Sequence, residues 1–449
     1  MLQTTPQLIQ QGRELRRTTP RSGLGRGFEQ HRDPLAILGA QNDNRIQSLV
    51  PLRWARMAES PFAFFRGAAA LMAHDIAKTP VSGITVQACG DAHLSNFGLY
   101  ASPERALVFD LNDFDETLPA AWEWDLERLV SSAAIAALNS GHSSAKARAV
   151  ALASAAGYRR SIQNLATMTA RQIFETLITV DDITALASTE SAKKSERKAR
   201  VAELERAARK ARSRTAGSAA ATLTEVVDGQ VRLIDQPPVM TRLSAEQLPS
   251  DAVKVPELYK RTLSHKLQVL LGRYQRVDFA LRVGGVGSVG TRCFIQLAVD
   301  SSGDPLILQI KEANRSVLAP FAKPSRVRNQ GRRVVNGQRI MQVVSDPFLG
   351  WVKAEGQDFY VRQFRDMKGS FELERFSLNV LIGYAMLCGS VLARAHAQSC
   401  EPALIAGYIG TGEAADQAFA DFAMAYAARN EQDHAALVSA IERGAITAA

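Results

Sequence analysis

Hydrophobic and polar positions divide the chain into stretches of different period. Through the first 50 residues Gln, Arg, Thr and Gly dominate and little periodicity is present, which predicts an arm. From Pro61, apolar residues recur at three- and four-residue steps (Phe62, Phe65, Ala69, Met72, Ile76), which predicts a helix ending near Pro80 and Gly83. Ile84–Cys89 then alternates as a short strand. Trp122 starts a long Ala-rich helix to about Asn139, with further helices to residue 180. A charged block at 190–214 is helix-permissive but has only a thin apolar stripe. Asp228-Gly229 predicts a hairpin between Thr224–Val227 and Gln230–Ile234.

The pattern changes again at about residue 278. Strands are predicted at Arg292–Val299, Pro305–Lys311, Phe348–Lys353 and Asp358–Phe364, with a helix over 331–344 between the two hairpins. From Phe371 onward the chain reads as helical, with breaks near Pro402 and Gly410. We therefore expect five segments. They are an arm at 1–50, a helical lobe at 51–180, a charged helix and hairpin insertion at 181–245, a β-rich lobe at 246–370, and C-terminal helices at 371–449 that complete the helical lobe. No internal repeat is present.

Composition changes this picture little. The 449 residues are 46% hydrophobic and 22% charged, as in an ordinary globular protein. The net charge of +9 comes largely from the first 30 residues and from 193–214, where Glu196, Glu203 and Glu205 interleave and argue against a nucleic-acid arm. Cys89, Cys293, Cys388 and Cys400 suit no zinc pattern and read as reduced thiols, which points to a cytoplasmic setting. No apolar leader is visible. The apolar run Phe376–Ala393 is interrupted by Asn379, Gly383 and Gly389, which predicts a buried helix and no membrane span.

The chemistry concentrates in two places. In Gly90-Asp91-Ala92-His93-Leu94-Ser95-Asn96 an Asp precedes an Asn by five residues, and Leu107–Leu111 leads into Asn112-Asp113-Phe114-Asp115-Glu116. A phosphotransferase needs one Asp to orient an attacking hydroxyl, and an Asn with a second Asp to hold Mg²⁺ against nucleotide phosphates. Asp110, Asp113, Asp115 and Glu116 would repel one another without a cation, and hard oxygen ligands favour Mg²⁺ or Mn²⁺. The second place is Gly284-Gly285-Val286-Gly287-Ser288-Val289-Gly290. A strand follows it, so Gly285, Gly287, Ser288 and Gly290 read as a flap over phosphates, not as a dinucleotide fingerprint. Lys311 ends the next strand, where an ammonium would pair with phosphates. Arg365–Gly369 would follow as a hinge whose backbone could bond adenine.

These parts stand in the reverse of the usual kinase order, since flap and lysine come about two hundred residues after the Asp/Asn loop. A circular permutation reconciles them, because cutting an exposed loop preserves a packed core. The expected fold class is thus α+β, a protein-kinase-like two-lobe fold, circularly permuted.

The runs Ser60–Gly67, Cys89–Gly98, Phe109–Thr117, Gly285–Arg292, Gln309–Ala313 and Gln363–Ser370 resemble the bacterial family called domain of unknown function 2252, over about residues 30–440. More distantly, the chain resembles aminoglycoside-phosphotransferase-like kinases. That resemblance implies Asp91 as catalytic base, Asn96 and Asp110 as Mg²⁺ ligands with Asp113 competing for that role, and Asp125 as the helix residue bracing the catalytic loop. No Glu in 331–344 would pair with Lys311; Gln338 or Glu312 could substitute. His93 would contact metal or phosphate or simply bond within its loop, and His396 reads as structural. Arg53, Arg56 and Arg66 read as ion-pair formers or as holders of an anionic substrate. The function implied is transfer from Mg-ATP to a hydroxyl on a small-molecule or protein acceptor. Two alternatives remain open: a nucleotide-binding pseudokinase, and a metal-dependent phosphohydrolase using Asp91, His93 and Asp110–Asp115.

Overall fold

A computed structural model describes residues 3–449 except 30, 190–193, 215, 248–253, 365, 366 and 370. The architecture is mixed α+β. Four short strands come first: β1 (Thr85–Ala88), β2 (Phe97–Ala101), β3 (Leu107–Leu111) and β4 (Leu118–Ala121). They form two antiparallel ladders, β1 with β4 and β2 with β3. The nesting matters: the loop between β1 and β2 and the loop between β3 and β4 emerge side by side.

Helices pack around these ladders. Trp122–Asn139 is buried along nearly its whole length and lies against Ser144–Leu165. Leu378–Ala397 in turn packs on Ser144–Leu165. Small residues permit that closeness: a Cβ on Gly389 would come within 2.1 Å of the Ser154 carbonyl. Leu378–Ala397 is the one helix among the described residues long and apolar enough to cross a membrane, and 56% of its apolar window is buried inside the protein.

The hairpin β5 (Thr224–Val227) and β6 (Gln230–Leu233) turns at Asp228 and Gly229, both at positive φ, as the Asp-Gly pair predicts. Six strands then build one antiparallel sheet: β7 (Met240–Arg242), β8 (Gln275–Arg282), β9 (Cys293–Val299), β10 (Pro305–Glu312), β11 (Gly350–Ala354) and β12 (Gln357–Gln363), in the order β11-β12-β10-β9-β8-β7. Alternation along β10 feeds both faces. Leu306, Leu308 and Ile310 join one apolar cluster and Ile307 joins the other. The sheet begins at Met240, earlier than the expected boundary at 246, and Leu233 and Ala220 of the supposed insertion pack into its core. The helix between the hairpins runs Gln330–Met341, capped by the Asn329 side chain, and stops short of 344.

The segment 1–50 departs most from expectation. It carries the helices Thr5–Leu15 and Pro34–Ala40, and Gly12 sits so close to Pro402–Ile409 that a Cβ would reach the Leu404 carbonyl at 2.2 Å. Arg32 bridges Asp75 and Asp433 at 2.7 and 2.6 Å. Close backbone contact and buried ion pairing order this segment, and neither leaves a hydrophobic period in the sequence.

Candidate active site

The first wall of the site is the loop between β1 and β2. Its shape is set by Asp125, whose carboxylate accepts from the Cys89 N–H at 2.6 Å and the Gly90 N–H at 2.8 Å. Behind it His396 Nε2 lies 3.1 Å from Asp125, and His396 Nδ1 lies 2.8 Å from the Tyr158 hydroxyl. Gly90 has φ +82°, and a Cβ there would come within 2.3 Å of the Glu116 carbonyl. Only glycine lets the two loops approach this closely.

Asp91 follows. Arg128 Nε donates to its Oδ1 at 2.9 Å, and the guanidinium lies 3.8 Å from the centre of the Phe65 ring. Burial pushes the Asp91 carboxyl up and Arg128 pulls it down, with a net upward shift. Asp91 Oδ2 makes no such bond and lies 3.8 Å from His93 Nε2. Burial, with Arg66 and Arg128 nearby, pushes His93 well below its ordinary value, so the ring is neutral. Asn96 Nδ2 donates to the Asp91 carbonyl at 2.6 Å, and the Asn96 carbonyl accepts from the Asn112 N–H at 2.8 Å. The first bond braces the loop internally, and the second ties it to the loop after β3.

The second loop disperses its carboxylates. Asp110, expected beside Asn96, is turned into the core: it is 2% exposed and ion-paired with Arg394, which also donates to the Met341 carbonyl. A carboxylate within an otherwise apolar, fully buried strand needs an internal cation, and Arg394 supplies it. Asp113 instead faces the cleft. Glu116 accepts from the Val317 N–H at 2.7 Å, and burial pushes its carboxyl up to about 7.

Lys311 arrives from β10, only 5% exposed, with its ammonium 3.5 Å from Asp113 and paired with Asp115. The Tyr360 hydroxyl donates to Asp115 at 2.7 Å. Burial pushes Asp113 up, but Lys311, Arg362 and Lys368 outweigh it and hold the carboxyl well below the usual range. Burial likewise disfavours the charged Lys311, and Asp113 and Asp115 outweigh it in turn, keeping the ammonium charged. Neither substitute partner reaches the lysine. Glu312 pairs with Arg292 at 3.2 Å, and Gln338 donates to Gln342 at 2.9 Å. The Gln330–Met341 helix holds the loop another way: Arg333 donates to the carbonyls of Thr117, Asp115 and Asn314.

The flap lies between β8 and β9, with Gly290 at φ +85°. The segment expected to be an arm holds it down. Arg45 donates to the carbonyls of Val289 and Gly287 and Ile46 N–H donates to the Gly290 carbonyl at 2.8 Å, while from just beyond that segment Arg56 donates to the Gly284 carbonyl at 2.6 Å. Beneath the flap a cavity of about 150 Å³ brings together Asp91, His93, Asn96, Asp113, Gly285 and Ser288, with Arg45 and Arg66 also lining it. Asp113, Gly285 and Ser288 are shared with a neighbouring cavity of about 200 Å³ that contains Lys311.

The expected residues Asp91, His93, Asn96, Asp113, Gly285, Gly287 and Ser288 thus line one cavity, Lys311 borders it, Asp125 stands behind it, and Asp110 is outside it. Among the described residues no cluster of three or more His, Cys, Asp or Glu side chains is arranged to hold a metal. Asn96 and Asp113 both line this cavity, and Mg²⁺ commonly takes only one or two protein ligands with water and phosphate oxygens completing its octahedron. Within the expected hinge, Arg365 and Asp366 lie outside the described residues. Much of the rest is engaged: Met367 N–H bonds the Arg214 carbonyl at 2.8 Å, Arg214 donates to the Lys368 carbonyl at 3.2 Å, and Gly369 N–H bonds the Leu99 carbonyl at 2.9 Å. Arg128 was the residue missed, although it stands one helical turn after Asp125 on the same face.

Residues 45–440 match the family described as "Uncharacterized protein conserved in bacteria (DUF2252)". No curated protein and no solved structure matches the chain.

Proposed function

We propose that the chain, which belongs to this uncharacterised bacterial family, is a kinase-like phosphotransferase of permuted two-lobe build that uses Mg-ATP to modify an acceptor hydroxyl. One observation carries the reading. Lys311, from the sheet, meets Asp113 and Asp115, from a loop about two hundred residues earlier, at the edge of a cavity that also holds Asp91 and Asn96 under a glycine flap. Turn chemistry alone gives no reason for these groups to converge.

In this reading Lys311 trades its carboxylate partners for donor phosphates. Asn96 and Asp113 hold Mg²⁺, which neutralises phosphate charge and fixes the phosphates in place. Asp91 orients the acceptor hydroxyl through Oδ2 and takes its proton as the new bond forms. Arg128 fixes the Asp91 rotamer, and Asp125 fixes the loop backbone. Neutral His93 offers a second polar contact to the acceptor without adding charge. The metal-hydrolase alternative keeps Asp91, His93, Asp113 and Asp115 but loses Asp110, which is committed to Arg394.

The test is calorimetric titration of Mg-ATP into the wild type, Lys311→Ala and Asn96→Ala. The wild type should bind only with magnesium, and each variant should weaken binding at least about tenfold, the effect of losing one charge-assisted contact. Magnesium-independent binding, or affinity unmoved in both variants, overturns the proposal.

A further inference from the structure

The cavity containing Lys311 is lined like a polyphosphate site and not like a nucleobase site. A base slot offers apolar faces and a few polar groups at its edge. Here the apolar lining is Cys293 and Phe364, and Arg282 already lies over the Phe364 ring at 4.9 Å. Part of the backbone edge that would read adenine is engaged, since the Met367 N–H, the Lys368 carbonyl and both polar groups of Gly369 bond Arg214 and Leu99.

What the cavity does contain is positive charge. Arg282, Lys311, Arg362 and Lys368 line it, against Asp113 within it and Asp115 beside it. Among the described residues no hydrogen bond or ion pair engages either the Arg282 or the Lys368 side chain; Arg282 lies over the Phe364 ring, and Lys368 lies in the field of Asp113 and Asp346. Among the described residues Arg362 donates to Gln309 Oε1 at 2.9 Å and the Asn112 carbonyl at 3.3 Å, with Asp113 and Asp115 acting on it from farther away. Burial, with Arg362 and Lys311 nearby, pushes the Lys368 ammonium down to about 7. Enclosing more basic side chains than carboxylates is costly unless an anion completes the site.

We infer that this cavity takes the β- and γ-phosphates of the donor, which places the α-phosphorus at the Asp91 side and makes the transferred group a nucleotidyl group. The inference rests on the nucleotide reading above and fixes which phosphorus reacts. The acceptor oxygen forms a bond to the α-phosphorus, the bond from that phosphorus to the bridging oxygen breaks, and pyrophosphate leaves. The acceptor proton passes to Asp91. The cations of the cavity stabilise the departing pyrophosphate, where negative charge grows as the bond breaks.

The test compares Mg-ATP, magnesium tripolyphosphate and adenosine by calorimetry on the full-length wild type, which needs no variant to be informative. Tripolyphosphate should bind within about tenfold of ATP, and adenosine should neither bind measurably nor compete. Arg282→Gln and Lys368→Met should each weaken tripolyphosphate at least about tenfold. Incubation with ATP labelled at the α- or the γ-phosphorus gives a second readout on the protein itself, and only α-label should be retained covalently. ATP binding with adenosine competing, tripolyphosphate failing to bind, both variants unchanged, or retained γ-label each overturns the inference while leaving the nucleotide reading intact. Loss of both ATP and tripolyphosphate binding overturns the two together.

Discussion

Asp110 and Asp113 stand three positions apart and have opposite surroundings, and a pair of substitutions separates their roles. Asp110→Asn leaves Arg394 buried without its counter-charge. It should lower stability by about 3–5 kcal/mol in urea unfolding while leaving the magnesium dependence of nucleotide binding unchanged. Asp113→Asn should abolish that dependence at a smaller cost in stability. If Asp110→Asn removes the magnesium dependence and leaves the urea midpoint in place, the metal role returns to Asp110. Part of this contrast was legible beforehand. Asp110 interrupts an apolar strand and Asp113 follows it in a loop, which is the pattern of a buried carboxylate beside an accessible one. The spacing of Asp91 and Asn96, and the position of Lys311 at a strand end, were legible for the same reason: short-range geometry decides them. Arg394 was not, because an ion pair spanning 284 residues leaves no local trace.

Among the elements, the Trp122–Asn139 helix bears most on the site, since it supplies both Asp125 and Arg128. It also buries acids that serve no catalytic purpose in our reading. Glu123 is fully buried, accepts from the Ser82 N–H at 2.7 Å, and has one oxygen without a partner among the described residues. Burial pushes its carboxyl from 4.5 up to about 7. A raised carboxyl binds its proton more tightly in the folded state than in the unfolded one, so stability falls as pH rises from about 4.5 to about 7 and the loss persists above. Glu123→Gln removes that loss. The variant should gain stability relative to the wild type across this window, measured as the difference in urea midpoints at its two ends. A constant difference would mean that Glu123 is ionised throughout. The helix and four of the six strands of the large sheet were predictable from the pattern, to within a few residues at their ends, whereas Met240–Arg242 and Gln275–Arg282 were not. The helices of 1–50 were not, because in Thr5–Leu15 only Leu8 and Gly12 are buried and the stripe they make with Ile9 and Leu15 is narrow among Gln, Arg and Thr.

On the scale of the whole molecule, residues far apart in the chain build the flap and its floor together. Arg45 joins the first 50 residues to the flap through two carbonyls, and Arg32 joins the same segment to Asp433 near the other end. Arg45→Ala should therefore weaken Mg-ATP binding about tenfold by loosening the flap, with the urea midpoint nearly unchanged. Unchanged affinity would show that the flap keeps its shape without that tether. The sequence showed which parts are present and in what order; it did not show which segment would clamp them, since close backbone packing and distant ion pairs decide that.

The long spans between partners also govern when the site can exist. Asp91 and its loop are synthesised early, yet the loop is braced through Asp125 by His396, and Asp110 is neutralised only by Arg394. Both partners sit on a helix made when most of the chain has already left the ribosome. A nascent chain carrying the Asp91 loop alone has a carboxylate strand without its cation and a catalytic loop without its brace. In our reading the Asp91 loop therefore gains its brace only after Leu378–Ala397 has left the ribosome.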